Sequence, residues 1–201
     1  MPGTARRVND DELPTAHRPP SVGEPGTAQP RGTMTQPAGG STPPTATFNI
    51  LFVCTGNTCR SAMAEGIARR ELEERGWKHV RVASAGLAAR EGDGAAGNAV
   101  AVAQRHGVGL ESHRTQPVSP GLLEWADLVL AMSPGHLDAL RGHGAGEKAA
   151  LLSAFALGDD AESRGVRDPF GGPLQAYENT YAQLRRLIGG ALDRLAPILH
   201  P

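Results

Sequence analysis

From residue 48 onward the chain alternates between short unbroken apolar runs and longer stretches whose apolar positions recur every three or four residues. Phe48 to Val53 (FNILFV) is short, β-favouring and followed at once by turn residues, which predicts a buried strand. Ser61 to Gly76 predicts a helix: Met63, Ile67 and Leu72 fall near one face, Arg69, Arg70, Glu73, Glu74 and Arg75 cover the other, and Gly76 stops it. The same reading gives a strand at 80–85 (VRVASA), a helix at 98–106, a short helix at 122–126, a strand at 127–132 (DLVLAM) and a helix at 134–140. A fourth strand is expected at 149–155, and a long closing helix at 175–195 with Tyr181, Leu184, Leu187, Ile188, Leu192 and Leu195 on its apolar side. Strands alternating with helices imply one α/β domain, a doubly wound four-stranded parallel sheet with helices on both faces. Ligands of such sheets bind beyond the carboxyl ends of the strands.

Residues 1–47 lack this pattern. They hold nine of the sixteen prolines, no Phe, Trp or Tyr, and only scattered large apolar side chains. Such a segment buries too little surface to offset its ordering entropy, so a disordered tail is expected ahead of a folded domain at 48–201. Its arginines are balanced by acidic residues, and Met34 offers an alternative translation start. The net charge of −1 carries no basic excess, so no nucleic-acid partner is expected. No apolar run approaches the roughly 20 residues of a membrane span, and no secretory leader is visible. Two cysteines in 201 residues make no disulfide framework, which fits a reducing cytoplasm.

Both cysteines lie in VCTGNTCRS, residues 53–61, directly after the first predicted strand. Three chemistries compete for this stretch. Zinc is poorly served, because no third cysteine exists and none of the seven histidines has ligand-type spacing to the pair. A permanent disulfide closes too small a loop to gain much. A nucleophile in an anion cradle gives every residue a task. Cys54 ends the strand and faces the N-terminus of the next helix, where unpaired N–H groups and a positive partial charge favour a thiolate and bind phosphate. Thr55, Gly56, Asn57, Thr58 and Cys59 supply the turning backbone, with Gly56 and Asn57 as the small, turn-prone pair. Arg60 adds a planar bidentate donor for phosphate oxygens, and Ser61 a hydroxyl for the sulfur. Walker A nucleotide chemistry is not supported, since its glycine–lysine pattern is absent. A thiol that attacks a phosphoester or phosphoramidate needs an acid for the leaving group, and Asp168 in RDPFGGP is the candidate. Pro169 stiffens that loop, and Phe170 can wall the substrate.

VCTGNTCRSAMAE, Ser84-Ala85-Gly86, DLVLAM and DPFGGP, in that order over about residues 48–197, resemble the low-molecular-weight protein-tyrosine phosphatase family. The resemblance implies a flavodoxin-like fold and a metal- and cofactor-independent protein phosphatase working through a phosphocysteine. It implies Cys54 as nucleophile, Arg60 as phosphate ligand and Asp168 as general acid. Asn57 matches the asparagine that shapes the cradle, Ser84 a serine that supports it, and His113 a histidine near that network. Ala62 stands where many members have proline, and Phe170 and Gly171 stand where many eukaryotic members have two tyrosines. Tyrosine-directed members commonly carry a bulky aliphatic residue at the position of Thr58. CTGNTCRS with DPFGG is similar to a bacterial branch containing protein-arginine phosphatases.

Thr58, smaller and hydroxylated, therefore favours phosphoarginine, with phosphotyrosine the alternative. Arsenate reduction needs a later cysteine, which is missing. A non-catalytic phosphate-binding module would be expected to lack Cys54, Arg60 or Asp168, and all three are present. Cys59 is either a small buried residue or a resolving thiol for oxidised Cys54. Phosphorylated proteins are the expected partners, with the enzyme a monomer or weak homo-oligomer.

Overall fold

The computed structural model describes residues 47–158 and 165–199. The expected tail, including Met34, lies outside them. Four strands form one sheet in the order β2-β1-β3-β4, all parallel: β1 (Phe48–Cys54), β2 (Val80–Gly86), β3 (Leu128–Ala131) and β4 (Ala149–Leu151). Around it run α1 (Arg60–Arg75), α2 (Gly97–Arg105), α3 (Pro120–Trp125), α4 (Pro134–Gly142), α5 (Leu152–Leu157) and α6 (Leu174–Leu199).

The unbroken apolar texture of β1 follows from burial on both faces. Ile50, Phe52 and Cys54 join a core with α1, α2 and α6, through Met63, Ile67, Val102, Leu184 and Ile188. Leu51 and Val53 join a second core with α3, β3 and α4, through Leu123, Val129 and Leu140. Because side chains alternate along a strand, one six-residue run serves both layers. The chain leaves β1 for β2 on one side and later adds β3 on the other, so the strand order reverses at β1. The crevice of a doubly wound sheet opens at that reversal.

The expected fourth strand at 149–155 is corrected. Pairing stops at Leu151, opposite Ala131, the last residue of β3, and α5 begins at Leu152. Beyond that point no partner strand remains, and Leu152-Ser153-Ala154-Phe155-Ala156-Leu157 has no β-branched residue to resist a helix. α6 also outruns its expected end, passing through Pro197 to Leu199. Leu195 is buried there, Ala196 and Leu199 pack on the core, and His79 Nε2 lies 2.9 Å from the Leu199 carbonyl oxygen. Asp127, just ahead of β3, accepts a hydrogen bond from the Asn49 N–H at 2.8 Å and so ties the start of β1 to its neighbour. Among the described residues no helix is long and apolar enough to cross a membrane.

Candidate active site

β1 ends at Cys54 and α1 begins at Arg60, so Thr55–Cys59 is the whole connection. The surrounding backbone fixes its orientation. The carbonyl of Cys54 accepts from the Leu87 N–H, that of Thr55 from Ala88, that of Thr58 from Ala96 and that of Cys59 from Met63. The Asn57 carbonyl accepts from His113 Nε2 at 2.8 Å. In a planar trans peptide the following N–H points away from the carbonyl. Carbonyls drawn outward therefore turn the loop's N–H edge inward, as an anion nest requires.

Asn57, rather than Gly56, makes the special turn. Asn57 has φ 58°, while a Cβ on Gly56 would meet nothing nearer than Thr58 Oγ1 at 3.6 Å. Asn57 is fully buried and holds the cradle from within. Its Nδ2 donates to Ser61 Oγ at 2.9 Å and Ser84 Oγ at 2.8 Å, and its Oδ1 accepts from the Gln116 N–H at 3.0 Å. Ser84 in turn donates to Glu65 at 2.6 Å, and Glu65 lies 3.9 Å from His113 Nδ1. Gly86 matters sterically, because a Cβ there would sit 2.6 Å from the Thr55 carbonyl oxygen and 2.9 Å from the Asn57 nitrogen.

The cradle surrounds the Cys54 sulfur. It lies 3.0 Å from Ser61 Oγ and receives the Asn57 N–H at 3.3 Å. Arg60, the first residue of α1, is 6% exposed, and its Nη2 meets Asp168 Oδ2 at 2.7 Å. Its Nε is buried with no partner among the described residues, an unmet donor beside the cleft. The other oxygen of Asp168 accepts the Phe170 N–H at 3.2 Å, which folds the Asp-Pro turn back over the site. Cys54, Thr55, Gly56, Thr58, Cys59, Arg60, Asp168 and Phe170 line a cleft of about 190 Å³. Phe170 is 76% exposed at its rim, and Pro169 is buried beneath it.

Of the expected site residues that do not line the cleft, Asn57 lies within its loop, and Ser61, Ser84 and His113 are hydrogen-bonded to Asn57. Both thiols are free and buried. The Cys59 sulfur lies 3.6 Å from Thr58 Oγ1 and 3.6 Å from the Tyr177 hydroxyl. Burial first, then the bond to Cys59, pushes the Tyr177 hydroxyl up to about 12. Sequence reasoning missed four participants: Tyr177, Gln116, Glu65 and His136. The last touches Thr55 Oγ1 through Nε2 at 2.9 Å. Gln116 acts through both its backbone N–H, given to Asn57 Oδ1 at 3.0 Å, and its side-chain amide, given to the Ser84 carbonyl at 3.0 Å, and neither contact is recorded in sequence spacing. His136 alone carried a usable signal, since it opens the helix after β3 at the edge where such sheets bind ligands.

A doubly wound sheet with a cysteine inside an N–H cradle, closed by a buried arginine and an Asp-Pro carboxylate, defines a cysteine-dependent phosphatase. Comparison with known proteins agrees: residues 49–197 match the family described as low molecular weight phosphotyrosine protein phosphatase, and the chain belongs to it. It is 40% identical over 151 residues to a protein-arginine-phosphatase of Geobacillus stearothermophilus, covering 74% of this chain and 94% of that one. It is 36% identical over 152 residues to a low molecular weight protein-tyrosine-phosphatase of Streptomyces coelicolor, covering 73% and 92%. A crystal structure of a low molecular weight protein tyrosine phosphatase from T. tengcongensis superposes with a TM-score of 0.69 at 36% identity, over 74% of this chain and all of that one.

Proposed function

We propose that the enzyme hydrolyses phosphorylated protein side chains through a phosphocysteine, with phosphoarginine its preferred substrate. The observation that carries the chemistry is the convergence of the Cys54 sulfur, the Arg60 guanidinium and the Asp168 carboxylate on one small cleft. The Cys54 thiolate attacks phosphorus in line, forming the S–P bond as the P–N bond to the arginine breaks. The loop N–H groups and Arg60 hold the three equatorial oxygens. An arriving phosphate competes with Asp168 for Arg60, and the released carboxylate takes a proton from solvent and delivers it to the departing nitrogen. Water then attacks phosphorus, Asp168 takes its proton, and the S–P bond breaks to return the thiolate and inorganic phosphate. The loop and Arg60 supply the positive charge, so these steps require no metal. The free thiols call for a reducing compartment, and we place the enzyme in the cytoplasm of a bacterial cell.

Thr58 supports phosphoarginine: the residue lines the cleft, where a hydroxyl can offer an acceptor to a guanidinium and an aliphatic side chain would instead pack on a ring. Phosphotyrosine is the second reading, favoured by the exposed Phe170 ring at the rim. The deciding experiment compares phosphoarginine and phosphotyrosine peptides in wild type and Thr58→Ile. The ratio of kcat/KM values should swing towards phosphotyrosine in the variant. An unchanged ratio removes Thr58 as the selector, and no turnover of either by the reduced wild type removes the phosphatase assignment for both.

A further inference from the structure

His136 lies outside every motif that marks the site, yet its ring touches the first residue of the phosphate loop. α4 follows directly on β3, so its first turn stands at the same carboxyl edge as the phosphate loop. Ser133 caps that turn by accepting the His136 N–H at 3.3 Å, which fixes the backbone from which the ring projects. The residue is 8% exposed. Nε2 lies 2.9 Å from Thr55 Oγ1, and Arg60 Nη2 approaches the same oxygen at 3.5 Å.

We propose that His136 is a positioning residue of the phosphate site, holding Thr55 so that the threonine hydroxyl donates its own proton to the bound phosphate. This rests on reading the Thr55–Cys59 loop as the phosphate cradle. Burial first, then the positive charge of Arg60, holds the imidazole below its ordinary range, with Asp168 pulling the other way. The ring therefore works neutral, with one proton to place. Nδ1 is buried without a partner among the described residues. A buried N–H without an acceptor is rarer in folded proteins than an unused acceptor lone pair. The proton thus belongs on Nε2, where it is donated to Thr55 Oγ1. A hydroxyl has two acceptor lone pairs and one donor. With His136 and Arg60 both donating to the oxygen, the Thr55 proton is free to turn into the cleft that Thr55 lines. There it meets a charged oxygen, the stronger kind of hydrogen bond.

The test measures the affinity of reduced protein for inorganic phosphate, together with kcat and KM on an aryl phosphate, in wild type, Thr55→Val, His136→Leu, His136→Gln and the Thr55→Val/His136→Leu double variant. Losing one charge-assisted bond should weaken phosphate binding about tenfold or more in each of the first two variants. The double variant should bind no more weakly than Thr55→Val alone, because both remove the same bond. His136→Gln, whose amide can still donate to Thr55, should recover most of the loss. A His136→Leu affinity within twofold of wild type overturns the proposal, as does a double variant whose losses multiply. If His136→Leu does not fold, Thr55→Val against Thr55→Ser decides, and equal phosphate affinity in those two overturns it as well. An inactive wild type that still showed these binding differences would sink the phosphatase reading and leave this inference standing.

Discussion

Asn57→Ala is the most revealing single change, because Asn57 binds the loop through side chain and backbone at once. Truncation removes three side-chain hydrogen bonds, to Ser61, Ser84 and the Gln116 N–H. At about 1 kcal/mol net for each, this costs roughly 3 kcal/mol. Ser61 keeps the Ala85 carbonyl and Ser84 keeps Glu65, but the Gln116 N–H loses its acceptor. A stranded donor of this kind adds about 1 kcal/mol or more. Alanine at φ 58° adds about 1 kcal/mol, since asparagine tolerates the left-handed region and alanine does not. The sum is about 5 kcal/mol, a large share of the roughly 5–15 kcal/mol by which domains are stable. At about 2–4 °C per kcal/mol, the melting temperature should fall by roughly 10–20 °C. Urea unfolding of the reduced protein, followed by circular dichroism, reads the loss directly. Asn57→Gly loses the same bonds without placing a Cβ at positive φ, so it should be no worse than alanine. A loss below about 1.5 kcal/mol in Asn57→Ala would refute the claim that this network holds the cradle, because a single buried bond is already worth nearly that much.

Other changes separate support from chemistry. Gly86→Ala puts a methyl group against the Thr55 carbonyl and the Asn57 nitrogen, so aryl phosphate turnover should fall more than tenfold (roughly 2 kcal/mol of lost positioning); activity near wild type would show that the loop yields. Asp168→Asn should lower kcat by about 10²–10⁴ on substrates with poor leaving groups and much less on activated aryl phosphates, and equal losses on both would exclude an acid role. Tyr177 is held at about 12 by burial and the bond to Cys59, whereas an unfolded tyrosine titrates near 10. The folded state therefore resists ionisation, and this contribution is intact below pH 10 and lost as pH rises through about 12. Denaturant midpoints should fall across that window in wild type and less steeply in Tyr177→Phe; parallel curves would dismiss Tyr177 as the source.

Much of this molecule is written locally. The run from Phe48 to Val53 is apolar at consecutive positions because β1 is covered on both faces, and such a run needs no knowledge of its partners to be read. The Cys-x5-Arg-Ser spacing places a thiol, a turn and a helix start within eight residues, so the loop is legible as a covalent sequence. Asp168 was legible too, since Asp-Pro ahead of a glycine-rich turn marks a loop with an acid in it. What the sequence could not determine were distances across the fold. The end of β4 depended on where β3 stopped. That Asn57, and not Gly56, bears the left-handed turn depended on Ser84, Gln116 and His113, which lie 27, 59 and 56 residues away along the chain. The contact of His136 with Thr55 spans 81 residues and exists only because β1 and β3 are neighbours in the sheet. Local pattern encodes which elements form and what chemistry a contiguous loop carries. Packing alone decides which distant side chains hold that loop in shape, because hydrogen bonds are won by proximity in space and sequence spacing does not record it.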